Sequence, residues 1–508
     1  MKSLRFFSLL TIALILPPGA ARADETQTNA PAKTEAKAPV ATVPDAATQP
    51  VFTTNTVVIA GTCVTYVTET GMLPLLKADG NSRASVFYIA YSVVGVTNAS
   101  QRPVTFSFNG GPGSSSVWLH LGALGPRRVK LNPDGTLPPP PFGLMDNEFS
   151  ILHATDLVFI DPVATGYSRP AKDEKAEQFF GQSGDIEAIG EFIRLWTTRH
   201  HRWLSPKYLC GESYGVFRAA GLADYLHSRY GLYLNGLILV SGVLDFATLQ
   251  DSVANDLTYL VFLPAYTATA HYHHKLPPDL QADLPKALAE AREFARVDYP
   301  AALLAGHSLS AADRDRISAK LARLTGLPAD WITANNLRIS PTGFRKKLLA
   351  AEGLILGRYD ARITGRDGDA GSDRPGFDPS YAATYGPFAA AMNAYVREEL
   401  KFENDLPYEI LAGVYPWNFD ARNSAPTVSE RLAGVMNQNP YLRLLVLGGL
   451  RDLACPIDGV HYSLNHMPLA EPYRTNIIYE EYEAGHMMYV NQPDLQKMQR
   501  DIESFLQR

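Results

Sequence analysis

The pentapeptide Gly211–Glu212–Ser213–Tyr214–Gly215 is the feature that most restricts how this chain can fold. It follows the apolar run Tyr208–Leu209–Cys210 and precedes residues 216–230, whose apolar side chains recur at helical spacing. A serine between two glycines at a sharp strand-to-helix turn is typical of a nucleophile elbow, where the glycines make room for a strained backbone. The pattern predicts that Ser213 is exposed at the top of a sheet and faces the positive end of the following helix. The alternative is an ordinary turn with a capping serine.

Strand-like apolar runs alternate with amphipathic helical segments on both sides of this pentapeptide. A helix is expected over 184–204, capped by Ser183 or Asp185, and a closing helix over 495–506. Buried strands are expected at 104–108, 156–160, 234–240, 441–447 and 476–482, and an antiparallel hairpin or meander at 56–60, 63–67 and 85–91. This alternation predicts an α/β fold with a mostly parallel central sheet flanked by helices.

The pattern divides the chain into four kinds of segment. Residues 1–23 have a positive start, a short apolar core and a small-x-small cleavage site, which predicts a secretory signal. Residues 24–50 have the composition of a disordered linker. The sheet pattern covers 51–246 and 427–508, and a helical, charged stretch at 247–426 predicts an inserted cap with helices at 280–294, 311–324 and 388–400.

Composition limits the binding partners and the cellular compartment that we expect for this protein. The net charge is −6, without a long basic run, which argues against nucleic acid as a partner. The apolar core of the signal is too short to span a bilayer and no cysteine follows the cleavage site, so we expect a periplasmic or secreted protein without a stable membrane anchor. Three cysteines make no disulfide framework, although a Cys63–Cys455 bridge remains open. There is no C-x-x-C motif, and the cluster His271, His273 and His274 has no acidic or cysteine partner at ligand spacing, so no metal site is expected.

Three polar residues follow strand ends in an order that suggests a catalytic triad. Catalytic groups gather at the carboxyl ends of strands in open α/β sheets. Ser213, Asp452 and His486 have the chain order of the α/β-hydrolase triad. Ser213 would attack a carbonyl, His486 would carry the proton, and Asp452 would orient the imidazole. The alternative for Asp452 is an ordinary turn residue.

An oxyanion pocket requires two backbone N–H groups directed at the same point. Tyr214, directly after the nucleophile, supplies one of them. Gly111 supplies the other, because it belongs to the glycine-rich stretch 109–113 at the end of an early strand. A plain turn is the alternative for that stretch.

Several of these segments resemble the signature motifs of the serine carboxypeptidases, a branch of the α/β-hydrolases. The resemblance lies in N-G-G-P-G-S-S-S at 109–116, the segment at 159–168, G-E-S-Y-G at 211–215, G-L-R-D at 449–452 and A-G-H at 484–486. It extends from about residue 51 to the C-terminus, is weakest in the cap, and is that of an exported, bacterial-type member. Two positions depart from the family: Ser114 stands where a cysteine is common, and Pro162 replaces the usual glutamine.

The resemblance implies an enzyme that removes single residues from peptide C-termini, best in acid and without a cofactor. It implies that Asn109, Gly110 and Glu212 bind the terminal carboxylate of a peptide substrate. A protonated Glu212 could donate a hydrogen bond to that group, whereas an ionised one would repel it. A structural role for Glu212 is the alternative. Two other functions remain open, an esterase or acyltransferase with the same triad, and a catalytically silent binding module.

Overall fold

A ten-stranded sheet forms the centre of the fold. The computed structural model describes residues 49–507, so the predicted signal (1–23) and all but the last two residues of the predicted linker (24–50) lie outside the described residues. The strands are β1 (Val51–Ile59), β2 (Thr62–Leu76), β3 (Ser82–Val93), β4 (Val104–Phe108), β5 (Asp156–Ile160), β6 (Arg169–Pro170), β7 (Lys207–Glu212), β8 (Gly236–Val240), β9 (Arg443–Gly449) and β10 (Ile477–Tyr482).

The strand order is β1-β2-β3-β5-β4-β7-β8-β9-β10, and β6 pairs with β3. The strands β1, β2 and β3 form an antiparallel meander at one edge, as the sequence predicts. From β5 to β10 along this order, neighbouring strands are parallel, so their carboxyl ends lie at one edge of the sheet. The register sets Phe108 opposite Gly211 and Val240 opposite Glu212, which brings the ends of β4, β7 and β8 together.

Helices cover both faces of the sheet because its central strands are apolar on both sides. In β7, Leu209 packs into one core, and Tyr208 and Cys210 pack into the other. The helices are α1 (Gln182–Arg199), α2 (Tyr214–Tyr230), α3 (Leu257–Tyr272), α4 (Pro278–Gln281), α5 (Leu284–Arg296), α6 (Asp298–Ala305), α7 (Ala311–Thr325), α8 (Ala329–Ala334), α9 (Pro341–Lys347), α10 (Pro379–Glu398), α11 (Ser429–Gln438), α12 (Ile457–His466) and α13 (Gln492–Gln507). The mostly parallel sheet with flanking helices confirms the predicted fold class.

The stretch predicted as an inserted cap contains two different parts. Helices α3 and α5 to α9 contribute to a separate apolar cluster. Helix α10 instead packs against the sheet through Phe388, Met392 and Tyr395. It begins at Pro379, nine residues before the predicted start, because Asp378 caps it by accepting a hydrogen bond from the Ser380 amide. The outer limits of the cap, 247 and 426, stay a prediction.

The predicted cap of helix α1 was wrong, and the open question of a disulfide is answered. Helix α1 begins at Gln182 after Gly181, so neither Ser183 nor Asp185 caps it. Asp185 is buried and paired with Arg218 instead. Cys63 and Cys455 are both free thiols, the first exposed and the second buried, which excludes a bridge between them in this structure.

Within residues 49–507, no helix combines the length and the apolar character that a bilayer crossing requires.

Candidate active site

The turn between β7 and α2 holds Ser213 in a strained backbone conformation, with φ 62° and ψ −126°. The flanking glycines are required by the close approach of strand and helix, since a Cβ on Gly211 would lie 2.2 Å from the Gly215 carbonyl oxygen. The Ser213 amide donates to the Val240 carbonyl at 3.0 Å, which ties the turn to β8. The serine is half-buried rather than exposed as expected, because surrounding loops enclose it.

Asp452 and His486 form a buried pair beside this turn. Asp452 follows β9 and His486 follows β10, and the imidazole Nδ1 lies 2.7 Å from the carboxylate Oδ2. The other carboxylate oxygen accepts the amides of Ala454 and Cys455 at 2.7 and 2.9 Å. Burial alone would lower the pKa of the His486 imidazole, but the charge and hydrogen bond of Asp452 hold it above its ordinary value. The pair is therefore arranged to stabilise a protonated imidazole.

Ser213 and His486 line the same cavity, together with Asn109, Gly110 and Gly111. No hydrogen bond joins the Ser213 hydroxyl to the imidazole among the bonds of the described residues, and the hydroxyl lies beside the Cys455 thiol. Hydrogen bonds of this kind commonly tighten only when substrate binds. Proton transfer from the serine would require the two side chains to close up in that way.

The glycine-rich turn after β4 packs directly against the start of α2. A Cβ on Gly110 would lie 2.4 Å from the Tyr214 amide nitrogen, so only glycine allows this approach. Gly111 has φ 100°, which places it in the left-handed region. Neither the Gly111 nor the Tyr214 amide donates to another residue of the described range. Both predicted oxyanion donors are therefore free beside Ser213.

Glu212 is buried next to Ser213 and shares the cavity with Asn109. Burial raises the pKa of the Glu212 carboxyl to about 7, against the opposing effects of the His486 charge and of a hydrogen bond from Tyr489. The Tyr489 hydroxyl donates to Glu212 Oε2 at 2.6 Å. The Asn109 amide nitrogen is buried beside this carboxyl without a hydrogen bond of normal geometry. Glu212 and Asn109 thus offer the cavity a neutral carboxyl and a free amide donor.

Two buried networks hold the glycine-rich turn in place. Arg218 on α2 pairs with Asp185 at 2.8 Å and donates a second hydrogen bond to the Asn109 carbonyl. Asp161, at the end of β5, accepts the amide and hydroxyl of Ser116 at 2.8 and 2.7 Å. Burial raises the pKa of Asp161 to about 6. These contacts fix the turn from both sides.

Sequence reasoning missed Tyr489, Arg218 and the cap residues Arg358 and Tyr359, which also line the cavity or support it. A signal existed for Tyr489, since it lies three residues after His486 on the same loop. Nothing in the sequence of the cap marks Arg358 or Tyr359 as neighbours of Ser213 and His486.

The fold and the serine elbow define the class: the protein has the architecture of an α/β-hydrolase. The family model described as serine carboxypeptidase (Peptidase S10) matches residues 65–499. The chain therefore belongs to the serine carboxypeptidase family.

The chain is similar in sequence to plant proteins and similar in fold to a yeast structure. The serine carboxypeptidase-like proteins 5 and 7 of Arabidopsis thaliana are 32% and 33% identical over 190 and 182 residues, which is 35% and 34% of this chain. The match spans 40% and 39% of those proteins, or about two fifths of their length. The crystal structure of Kex1(Δ)p, a prohormone-processing carboxypeptidase from Saccharomyces cerevisiae, superposes with a TM-score of 0.52. It covers 86% of this chain and 91% of its own at 18% identity, and so supports the fold.

Proposed function

We propose that this protein is a serine-type carboxypeptidase that removes residues from peptide C-termini. Ser213 is the nucleophile, His486 the general base and acid, and Asp452 the group that orients the imidazole. Gly111 and Tyr214 supply the oxyanion donors. Asn109, Gly110 and Glu212 bind the terminal carboxylate. Family membership supports these assignments, and so does the cavity that all of these residues line except Asp452, which is bonded to His486, and Tyr214, which follows Ser213.

The reaction proceeds through an acyl-enzyme. His486 Nε2 takes the proton of Ser213 as its Oγ attacks the scissile carbonyl, and the oxygen of the tetrahedral intermediate accepts the two backbone amides. His486 then protonates the leaving amine, the C–N bond breaks, and the C-terminal amino acid departs. Water attacks the ester by the reverse roles, which releases the shortened peptide and restores the Ser213 hydroxyl. Asp452 stabilises the charged imidazole in both steps.

The observation that carries the proposal is the pair formed by Glu212 and Asn109 beside the nucleophile. A simple esterase has no need for a buried carboxyl with a raised pKa at that position. A free α-carboxylate needs donors, and a protonated Glu212 and the unpartnered Asn109 amide supply two. Leaving such buried polar groups without partners costs about 1–3 kcal/mol each, so a bound carboxylate gains from satisfying them.

The pH dependence of peptide cleavage follows from the upward shift of the Glu212 pKa. The pKa of Glu212 is about 7, so below about pH 7 its carboxyl is protonated and donates a hydrogen bond to the substrate carboxylate. Above it, two negative charges face each other. We therefore expect peptide cleavage to be fastest in acid and to fall as the pH rises through about 7, while ester cleavage falls less.

The test compares a blocked dipeptide acid with its C-terminal amide and its methyl ester, for the wild-type protein and Glu212→Gln. A carboxypeptidase cleaves the acid far faster than the amide in acid. Glu212→Gln should flatten the pH profile for the acid and leave ester hydrolysis largely intact. Equal cleavage of acid and amide, or an unchanged profile in Glu212→Gln, would instead favour an esterase or acyltransferase.

We also propose that the protein is exported to the periplasm or secreted, and that residues 1–23 are removed as a signal. Residues 24–50 form a linker. Residues 247–426 form a cap over the site. The composition of the first 50 residues supports the first three statements. N-terminal sequencing of protein recovered from the extracytoplasmic fraction should begin at residue 24. Recovery in the cytoplasm with an intact N-terminus would contradict export.

A further inference from the structure

Arg358 places a positive charge on the wall of the candidate active site. It lines the same cavity as Ser213 and His486, and it is exposed. No carboxylate among residues 49–507 forms a salt bridge with its guanidinium. The recorded contact of that group is with the ring of Tyr359, 5.4 Å from its centroid.

The backbone of this arginine is fixed although its side chain is free. The Arg358 amide donates to Asp378 Oδ1 at 3.0 Å, and its carbonyl accepts from the Leu453 amide at 3.0 Å. The carbonyl of the next residue, Tyr359, accepts the His486 amide. The segment is therefore attached to both loops that carry the acid and the base. The backbone of Arg358 is therefore held at one place relative to Asp452 and His486.

The charges that face Arg358 leave its own charge uncompensated. The side chains of the cavity lining that can carry a charge near neutral pH are Arg358, Glu212 and His486. Tyr359 and Tyr381 also line it, and burial raises the pKa of both, so they stay neutral. Glu212 accepts its hydrogen bond from Tyr489 and is neutral below about pH 7, because burial raises its pKa. His486 is paired with Asp452. Asp378 is already engaged by backbone amides, by the Ser380 hydroxyl and by Arg345 at 4.0 Å.

A substrate anion is the remaining partner for this guanidinium. The terminal carboxylate of a peptide is accounted for by Asn109 and Glu212, at the glycine-rich turn. Arg358 belongs to a different element of the wall, the cap segment beside His486. A second anion on the substrate must come from a side chain close to the scissile bond, and an arginine fork suits a carboxylate.

We propose that Arg358 is a specificity-determining residue that makes the enzyme select peptides with an aspartyl or glutamyl side chain at one of the two positions flanking the scissile bond. The inference rests on the proposed carboxypeptidase function. It adds the substrate class, peptides with one acidic residue among the last two positions, to that function.

The test compares two blocked dipeptides that differ only in having glutamyl or glutaminyl at one position. The comparison is made separately for the residue before and the residue after the scissile bond, and each gives a ratio of kcat/KM values. The two side chains have the same shape, so the ratio isolates the charge. We expect the wild-type protein to favour glutamyl at one position by roughly 5- to 30-fold, as for a partly exposed charge-assisted hydrogen bond. Arg358→Gln should bring that ratio close to one, and Arg358→Glu should favour a lysyl substrate over the glutamyl one.

Arg366→Glu is the matched control for the charge reversal. Arg366 is also an exposed cap arginine, on the short strand Thr364–Arg366, and it does not line the cavity. It should leave the glutamyl-to-glutaminyl ratio as in the wild-type protein. The Arg358 charge also lowers the pKa of His486, against the raising effect of Asp452. A change in that pKa alters the cleavage of both substrates, so we compare their ratio at a single pH.

The outcomes separate the two proposals. Cleavage of neutral dipeptides without a glutamyl preference at either position overturns the role of Arg358 and leaves the carboxypeptidase assignment standing. Equal loss for glutamyl and glutaminyl substrates in Arg358→Gln also overturns it, since it indicates binding of the terminal carboxylate instead. No cleavage of any peptide by the wild-type protein, with Ser213 unreactive towards a phosphonate, overturns both.

Discussion

Removing the Tyr489 hydroxyl should move the alkaline limb of peptide cleavage to higher pH. The hydroxyl donates to Glu212 Oε2 at 2.6 Å in a buried site, and this bond favours the ionised carboxyl. Phenylalanine keeps the ring, which fills the space that Gly122 leaves for it: a Cβ on Gly122 would lie 2.5 Å from Tyr489 Cε2. The substitution therefore removes the hydrogen bond with little change in packing.

The size of the effect follows from the strength of such a bond. A hydrogen bond to a charged group contributes about 1.5–3 kcal/mol, and one pH unit corresponds to about 1.4 kcal/mol. Loss of the bond should thus raise the pKa of Glu212 from about 7 by about 1–2 pH units. Since the protonated form binds the peptide, Tyr489→Phe should stay active into more alkaline solution than the wild-type protein.

The assay is kcat/KM for a blocked dipeptide acid across pH, which reports the ionisations of the free enzyme. Tyr395→Phe is the control, because it removes another buried hydroxyl, one whose recorded partner is the Tyr91 hydroxyl at 2.9 Å. It should leave the midpoint unchanged. A midpoint in Tyr489→Phe that stays in place or moves to lower pH would refute the assignment of this limb to Glu212.

Three further substitutions test the same site. Asp452→Asn should lower kcat by about 10⁴-fold in initial-rate measurements, because the imidazole loses its orienting carboxylate; a loss below tenfold would contradict the triad. Gly110→Ala should cost about 1–3 kcal/mol of stability and abolish activity, since the methyl group would meet the Tyr214 amide at 2.4 Å; Gly434→Ala, at an open helix position, is the control in the same urea titration. Glu212 binds its proton more tightly in the folded than in the unfolded protein. The free energy of unfolding should therefore fall by about 3 kcal/mol as the pH rises from 4.5 to about 7. Glu212→Gln should remove that slope from urea midpoints measured across pH, and an unchanged slope would contradict a raised Glu212 pKa.

The sequence predicts best those parts of the fold that depend on local pattern. The parallel strands and the positions of Ser213, Asp452 and His486 after strand ends follow from alternating apolar runs, because parallel strands end at the same edge of a sheet. The half-buried state of Ser213 does not follow, since it depends on loops from distant segments. Helix α10 shows the same limit: its apolar side chains indicate burial but do not say that the sheet, rather than the cap, covers them.

The supports of the candidate site were beyond prediction for a related reason. Which residue of the loop after His486 turns towards Glu212 depends on the space left by Gly122, more than 300 positions away in the chain. Arg358 reaches the site through backbone hydrogen bonds to Leu453 and through those of its neighbour to His486, and backbone bonds leave no mark on side-chain pattern.

Arg358 and Glu212 together should confine the selectivity for acidic substrates to a limited range of pH. Below the ordinary pKa of a glutamyl side chain, about 4.3, the substrate anion is lost and Arg358 has no partner. Above about 7, Glu212 ionises, and its negative charge opposes the substrate carboxylates and partly offsets the arginine. His486 and Asp452 are the same in the wild-type protein and in Glu212→Gln, so the difference between the two pH profiles isolates Glu212. The glutamyl preference should therefore rise above about pH 4.3 and fall again through about pH 7. In Glu212→Gln the upper fall should become smaller while the lower rise remains, and a wild-type ratio that does not vary with pH would contradict recognition of the substrate charge by Arg358.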